Sequence, residues 1–445
     1  MPILLTNGWD LVAVASQGTI NTLLATAVTD GLLPATISET VPVGTGGSTI
    51  TIDLDPANPP TVDLNPGNAP GQSAMVSLTL PFASGTITSQ QEGAPTSIPA
   101  GSFVAENEIA YLNIDFSGGT NETLALDFTS PSAIYSLQIT GLGQFWDDVV
   151  NAAITQYLQN LQPGTIALGT VVVPAVLAPL APVGDSMFAI QTSTTPADNA
   201  LLLLMTTSTG TAPAGPAGVD FSDINPLLAP GQPSALYISN RVLMEEIIVP
   251  GMCASMSIPQ GDFSSAGSPT TPYVSTFSGN VSISGEDDPD LEGLTLSVNG
   301  SNQVQGTYDV DAHPVFNAGS TYYVKVTGSI YVEPTLDTTT QLISFATTSD
   351  SGSGALEASP LGWTIIVAAI IATFGTVSLF IAGVVLVVVP LVVALLKFPV
   401  NMQSIDESIS NGLGSFVWPL QKSYPLSSIT VPGDLVIAGD PTLPA

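Results

Sequence analysis

The stretch SAMVSLTLPF, residues 73–82, places apolar side chains at Val76, Leu78 and Leu80 with polar residues between them. Alternate side chains of an extended chain point to opposite faces, so this pattern predicts a half-buried β-strand. The same alternation recurs in three further stretches, at residues 124–128, 294–298 and 322–326. Loops rich in proline, asparagine and glycine separate these stretches. The sequence therefore predicts a mostly β fold built from antiparallel strands.

Two other stretches repeat their apolar residues at the spacing of an α-helix. The first includes Leu23 and Leu24, and the second runs from Phe145 to Leu161 before Pro163. Apolar residues three and four positions apart share one helix face, so each stretch predicts an amphipathic helix. The predicted fold class is α+β, mostly β, with strongly twisted antiparallel sheets packed on a few long amphipathic helices.

The block LGWTIIVAAIIATFGTVSLFIAGVVLVVVPLVVALL, residues 361–396, contains no charged residue. Its 36 residues would form a helix of roughly 54 Å, whereas the hydrocarbon core of a bilayer is about 30 Å thick. The block therefore predicts a helical hairpin that turns near Gly375 or Gly383 and is kinked or ended by Pro390. Such a hairpin needs lipid, an apolar groove or a partner around it. The candidate contact residues are Trp363, Ile365, Ile366, Phe374, Leu379 and Phe380.

The chain is acidic because it is poor in basic residues. It has 36 aspartates and glutamates against four lysines and arginines, which gives a net charge of −32. Neutralising phosphates requires basic side chains, so the composition argues against nucleic acid as a partner. It also disfavours electrostatic docking on anionic lipid. Any membrane contact must therefore be hydrophobic.

The cysteine content and the N-terminus bear on localisation. Cys253 is the single cysteine, so the chain forms no intramolecular disulfide. The opening MPILLTNGWD has neither a basic n-region nor a long apolar h-region, so we expect no standard secretory signal. A cytoplasmic protein and a bacterial protein exported by a non-standard route both fit, with or without membrane association.

Few residues form a pattern known from active sites. Asp309, Asp311 and His313 are spaced two apart, but a solvated turn before Pro314 is favoured over a metal site. Cys253 lies 60 positions from the only histidine, so a buried structural thiol is favoured over a nucleophile. The sequence contains no nucleophile elbow, phosphate-binding loop or paired zinc ligands. We therefore expect no enzyme activity, no metal site and no cofactor.

One short stretch predicts a capped helix with an internal ion pair. Ser239 is suited to cap a helix that carries Leu243 and Ile247. Arg241 and Glu245 are four positions apart, which places them side by side on that helix. This arrangement explains one of the four basic residues structurally.

The opening segment NGWDLVAVASQGTINTLLATAV, residues 7–28, combines a Gly-Trp-Asp start with a helix that carries Leu23 and Leu24. The segment ISNRVLMEEIIVPGM follows at residues 238–252. Two other segments, residues 199–207 and 416–441, are similar in kind and order. Together these segments resemble the clostridial P-47/OrfX family, found beside botulinum neurotoxin genes. The resemblance covers nearly the whole chain.

The family resemblance implies a tubular lipid-binding (TULIP) fold, in which a highly curved antiparallel sheet wraps around a long helix. It further implies binding of a lipid or another apolar small molecule, in an accessory role with possible protein partners from the same gene cluster. The near absence of lysine departs from the clostridial members and argues against phosphoinositide recognition. The residues expected to line the tube are Leu23, Leu24, Phe145, Val149, Ile154, Tyr157, Leu158 and Leu161.

The predicted division of the chain has four parts. Residues 1–207 form a first TULIP-like part with two helices, 220–357 a second β-rich part, 358–397 the hairpin, and 398–445 a helix and strands that return to the β-rich body. The segment between the first two parts, rich in proline, glycine and alanine, is the expected linker. Two other functions stay open: a pore-forming or anchored protein that inserts the hairpin into a membrane, and a purely structural protein.

Overall fold

In the computed structural model, the residues described form a mostly β, α+β fold. They are residues 6–29, 34–44, 46–65, 75–89, 94–108, 121–126, 128, 134–160, 167–172, 180, 182, 186–207, 210, 227–229, 231–269, 271–283, 289–312, 322–358, 377–396, 416–417 and 424–441.

The strands follow one another through almost the whole described chain. They are β1 (Leu11–Ser16), β2 (Thr36–Val43), β3 (Gly46–Leu54), β4 (Thr61–Asp63), β5 (Met75–Ser89), β6 (Thr96–Ile98), β7 (Gly101–Glu108), β8 (Asn121–Ala125), β9 (Ile134–Gln138), β10 (Ala167–Val172), β11 (Met187–Gln191), β12 (Ala200–Met205), β13 (Ser234–Ile238), β14 (Phe263–Ser268), β15 (Thr271–Ser282), β16 (Asp290–Asn299), β17 (Gln303–Ala312), β18 (Tyr322–Asp337), β19 (Leu342–Ala358), β20 (Phe416–Val417), β21 (Leu426–Thr430) and β22 (Leu435–Gly439). Alternation correctly predicted β5, β16 and β18, whereas β8 contains only the start of the stretch 124–128.

Helices are few among the described residues. They are α1 (Gln17–Thr29), α2 (Gln144–Asn160), α3 (Asn240–Val242), a π-helical stretch (Leu243–Ile248), α4 (Val249–Met256) and α5 (Val377–Leu396), with 3₁₀ turns at Pro196–Asp198 and Gln260–Asp262. The predicted cap is confirmed, because the hydroxyl of Ser239 accepts a hydrogen bond from the backbone N–H of Val242. Helix α5 covers the second half of the apolar block and continues past Pro390 to its last residue. The predicted turn near Gly383 and the predicted end at Pro390 are therefore wrong, because both residues lie within α5. The first half of the block lies outside the described residues, so a hairpin that turns near Gly375 stays a prediction.

The strands form four sheets with mainly antiparallel pairing. One has the order β2-β3-β5-β7-β9, with β4 and β6 also paired to β5, and a second has the order β14-β15-β16-β17-β18-β19. The others have the orders β11-β12-β1-β13-β22-β21 and β20-β10-β8. The second sheet keeps the chain order throughout, so each strand there pairs with its sequence neighbour.

The chain divides into two compact units. The N-terminal unit comprises residues 11–236, 412–425 and 438–445, and the C-terminal unit comprises residues 1–10, 237–411 and 426–437. The sheet that begins with β2 belongs to the N-terminal unit, and the sheet β14–β19 belongs to the C-terminal unit. The predicted linker lies almost wholly outside the described residues, and the predicted four-part division stays a prediction.

Hydroxyl groups cover the outward face of β2 and β3 in the N-terminal unit. Ser38 lies opposite Thr51, and Thr40 lies opposite Thr49, with oxygen–oxygen distances of 3.4 and 3.1 Å. Ser38 and Thr40 are exposed and their partners on β3 are half-buried, while Ile37 on the other face is buried. Cross-strand hydroxyl pairs of this kind stabilise a sheet modestly. The alternation therefore buries one face and leaves an outward face of mainly hydroxyl groups, which also includes the exposed carboxylate of Asp53.

A buried ion pair lies at the start of the C-terminal unit. Arg241 donates from Nη2 and Nε to Oδ1 of Asp10 at 2.7 and 3.1 Å, and from Nη1 to Glu245 at 3.1 Å. The side chain of Asp10 is 4% exposed, and the neighbouring Trp9 is fully buried. Burial alone would lower the pKa of Arg241, but the two carboxylates outweigh it and raise the pKa. The Arg241–Glu245 pair was predicted, and the longer-range partner Asp10 was not.

The same corner of the unit contains a second buried carboxylate, that of Asp434. It accepts hydrogen bonds from the backbone N–H groups of Thr6 at 2.8 Å and Asn240 at 2.7 Å. The side chain of Asn240 donates to the carbonyl of Gly433 at 3.1 Å and accepts from the N–H of Tyr273 at 2.6 Å. A small cavity of about 50 Å³ lies among these residues. The network joins four separate segments of the C-terminal unit.

Replacing Arg241 by methionine should destabilise the protein by about 3–5 kcal/mol, because the carboxylate of Asp10 is then buried without its cation. Urea unfolding followed by circular dichroism measures this loss.

The matched control is Lys325→Met, because Lys325 and Asp309 form an ion pair at 2.9 Å in which each side chain is about one-third exposed. Its loss should cost about 0–1 kcal/mol. Equal losses for the two variants would contradict the structural role of the buried pair.

Tyr308 of β17 lies over a strand position that only glycine can occupy. It donates a hydrogen bond to the carbonyl of Ser351 at 2.9 Å, and a methyl group on Gly328 would lie 2.3 Å from its hydroxyl oxygen. Burial, and then the charge of Asp350, raises the pKa of Tyr308 to about 12. The neutral phenol is thus favoured in the folded state.

This pKa predicts a loss of stability in alkali. In the unfolded chain a tyrosine releases its proton near pH 10, so between pH 10 and about 12 the unfolded state binds fewer protons than the folded state. The free energy of unfolding should therefore fall as pH rises through this window. Tyr308→Phe should make that fall less steep in urea titrations at each pH, and an unchanged slope would contradict the assignment.

Candidate functional site

Helix α2 contacts both edge strands of one sheet in the N-terminal unit. It packs against β2, the first strand in the sheet order, and against β9, the last. The sheet is curved, so its two edge strands lie against the same helix. The interface between α2 and this curved sheet is the candidate site, and we call it the α2 groove.

The bottom of the α2 groove is apolar and closely packed. On the sheet side, the ring of Phe103 on β7 is fully buried and stacks on Tyr135 of β9 with 5.9 Å between ring centroids. The helix side presents four residues that are at most 2% exposed, namely Val150, Ala153, Ile154 and Leu158. They are spaced at three and four positions, so they form one stripe along the helix.

The rim of the α2 groove is half exposed and partly polar. Val149 and Tyr157 lie beside the buried stripe and are half-buried. Gln156 donates a weak hydrogen bond to Glu39 on β2 at 3.4 Å. Burial, and then the charge of Glu39, raises the pKa of Tyr157. A ligand entering from this side would meet one apolar and one aromatic residue next to a carboxylate.

The structure separates the residues predicted on α2. Ile154 and Leu158 lie at the bottom of the groove, Val149 and Tyr157 at its rim. Phe145 is 60% exposed and contacts Trp146 edge to face at 4.9 Å, and Leu161 lies outside the described residues.

The most deeply buried helix position, Val150, was missing from the predicted set. The predicted stripe started from Phe145 and Val149, whereas the buried one starts from Val150 and continues through Ile154 to Leu158. Both series have the spacing of four that a helix face requires. A sequence pattern therefore locates the helix, but contact with the sheet decides which face is buried.

The predicted residues on α1 lie in another part of the same unit. Leu23 and Leu24 are buried, and α1 packs against β1 and β4. Leu23 lines an open cleft of about 610 Å³ beside the first turns of this helix, where Ser16 caps the helix by accepting from the N–H of Thr19 at 3.1 Å. Ligand pockets commonly measure about 300–1,000 Å³. We call this the α1 cleft.

The α1 cleft is electronegative. Its other lining residues are Gly18, Thr22, Ala197, Asp198, Gly231, Pro233, Asp440 and Pro441. Two of them carry carboxylates, and none is basic. An anionic head group would be repelled there, so the cleft suits a neutral or cationic group better.

Most of the residues predicted to contact a membrane lie outside the part of the chain that the structure describes. Trp363, Ile365, Ile366 and Phe374 lie outside the described residues, and Leu379 and Phe380 lie on α5. Within the described part of the chain, no helix is both long and apolar enough to cross a membrane.

Cys253 is buried, as predicted for a structural thiol. Burial, and then the charge of Asp262, raises its pKa, which keeps the thiol protonated and unreactive at neutral pH. His313 lies outside the described residues, and those that are described contain no group of three side chains suited to hold a metal ion.

Comparisons with known proteins give a likeness in structure without one in sequence. No protein-family model and no curated protein sequence matches the chain. P47 of Clostridium botulinum E1 has a TM-score of 0.64 at 14% identity, over 98% of this chain and 99% of that chain. P47 from Clostridium botulinum A2 has a TM-score of 0.63 at 14% identity, over 98% of each chain. The chain therefore has a P47-like fold, and its curved antiparallel sheets are those expected of a TULIP-like α+β fold.

Proposed function

We propose that this protein binds a lipid or another apolar small molecule in the α2 groove and does not catalyse a reaction. The observation that carries the proposal is the contact of α2 with both edge strands of one sheet, because it encloses an apolar stripe along the helix. An acyl chain lying along this stripe would gain about 0.8 kcal/mol for each CH₂ group taken out of water.

The rim indicates where such a chain would enter. The bottom residues Ile154 and Leu158 are already packed, so a ligand must part the helix from the sheet at its half-exposed side. Val149 and Tyr157 lie on that side. Apolar contacts are not directional, so the displaced side chains lose little that hydrocarbon does not restore.

The charges favour a ligand without a net negative head group. Only four basic residues exist in the chain, and two of them, Arg241 and Lys325, are engaged in ion pairs. Phosphoinositide recognition requires clustered basic side chains. A neutral or zwitterionic lipid suits both the α2 groove and the electronegative α1 cleft. Protein partners from a toxin-like gene cluster stay a prediction.

Protein purified without detergent should carry lipid in roughly stoichiometric amount, measured by mass spectrometry of an organic extract. Val149→Asp places a charge at the rim and should lower the bound lipid about tenfold, equivalent to about 1.4 kcal/mol.

The matched control is Phe145→Asp, which adds the same charge one helix turn earlier, on a residue that is exposed. It should leave the bound lipid unchanged. Equal lipid content in the two variants, or an empty extract from folded parent protein, would refute the proposed site.

A second candidate function is hydrophobic contact with a membrane surface through α5. Its residues Ala382, Leu386 and Pro390 are exposed, and Leu386 is 76% exposed. They are four positions apart and so form one apolar stripe facing solvent. Such a helix face is unusual on a soluble protein without a partner.

This candidate predicts stronger liposome binding and leakage at pH 4–5 than at pH 7. Carboxylates begin to protonate near pH 4, which removes much of the net charge of −32 and its repulsion from lipid. Leu386→Glu should abolish liposome binding and leakage. Glu246→Gln, which lies outside α5, should leave both unchanged. Leakage that does not depend on pH would rule out this route.

A further inference from the structure

Helix α5 closes the C-terminal unit on one side. It packs against β18 and β19 at one end of the six-stranded sheet and also contacts α4. Near the other end of the sheet, β15 contacts α3 and the π-helical stretch that leads into α4. In space, α5 therefore lies between α4 and the last two strands of the sheet.

The strand surface beneath α5 lacks side chains where the helix is nearest. A methyl group on Gly352 would lie 2.4 Å from Cγ2 of Val389, and one on Gly354 would lie 2.7 Å from Cγ2 of Val385 and 2.9 Å from Cγ2 of Ile381. The three helix residues are four positions apart and share one face. The helix thus lies on two glycines, where any larger residue would force the helix side chains to shift.

The surroundings of these two glycines are aliphatic. Gly354 lies opposite Val326 of β18, and both Val326 and Val324 are fully buried. On the helix, Val384 and Val388 are buried. Ser378 is the only residue of α5 with a polar side chain. No charged group of α5 fixes it in place, so aliphatic packing holds the helix against the strands.

Helix α5 also lacks one of its own backbone hydrogen bonds. Pro390 has no backbone N–H, so the carbonyl of Leu386 loses its partner in the helix. Its outward stripe, which includes Leu386, gains nothing from burial while it faces solvent. The helix is therefore bound by non-directional contacts on one side and unsupported on the other.

We propose that α5 is a displaceable lid over β18 and β19, and that the hydrocarbon chain of a neutral or zwitterionic lipid takes its place there. This second site is distinct from the α2 groove and rests on the proposed function only for the class of ligand. Lipid binding would expose α5, and a docked α5 would exclude lipid.

A reversible crosslink tests the lid. In a Cys253→Ala background, Gly352→Cys with Val389→Cys places two thiols within disulfide reach, because the Cβ position at 352 lies 2.4 Å from a methyl group of Val389. The protein is incubated with dioleoylphosphatidylcholine vesicles, and the lipid bound per chain is measured after re-isolation. We expect the oxidised form to bind about half as much lipid as the reduced form.

Two controls separate this inference from the proposed function. The Cys253→Ala parent should bind the same amount with and without reductant. Adding Val149→Asp to the double-cysteine variant should remove the lipid bound in the α2 groove. The lipid that still binds should then be found only when the disulfide between positions 352 and 389 is reduced. Equal, non-zero binding by the oxidised and reduced forms overturns the lid while the α2 groove stands. Binding by none of the forms, the parent included, overturns both.

A variant without a crosslink gives an independent measurement. Gly354→Ala adds a methyl group where α5 is nearest, so it should raise the lipid bound and speed amide hydrogen exchange in residues 377–396. Lipid should speed the same exchange in the unmodified protein. Exchange in α5 that is unaffected by lipid would contradict the displacement.

Discussion

A buried carboxylate needs a positive partner or hydrogen-bond donors, and this chain has only four basic residues that could supply the positive charge. Arg241 neutralises Asp10, and the backbone groups of Thr6 and Asn240 satisfy Asp434. These contacts position the first residues of the chain against the beginning of α3. Since charge is so scarce, most of the remaining structure is held by sheet hydrogen bonds, hydroxyl pairs and apolar burial.

Curvature of the sheets follows from what each must cover. In the N-terminal unit, one helix contacts both edge strands, so the apolar stripe of α2 is enclosed by a single sheet. In the C-terminal unit, the sheet meets α3 and the π-helical stretch near one end and α5 at the other. In both units helices cover a sheet, with one helix in the N-terminal unit and several in the C-terminal unit.

The sequence predicted what depends on local spacing. Alternation located β5, β16 and β18, and helical spacing located α2 and the Ser239 cap. It did not reveal the pairing of Arg241 with Asp10, which lie 231 positions apart, although both belong to segments that carried the family resemblance. Nor did it reveal which face of α2 is buried, because series starting at 149 and at 150 are equally regular. The sequence also did not reveal that α5 lies over the glycines at 352 and 354.

The hydroxyl face of β2 and β3 has a consequence for the behaviour of the surface in acid. Serine and threonine do not titrate, so the pairs formed by Ser38, Thr51, Thr40 and Thr49 remain hydrated when carboxylates elsewhere lose their charge. Hydration of these hydroxyl groups does not depend on ionic strength, because they carry no charge. The hydroxyl pairs therefore keep this part of the N-terminal unit hydrated in acid, where surfaces that depend on carboxylates lose their charge.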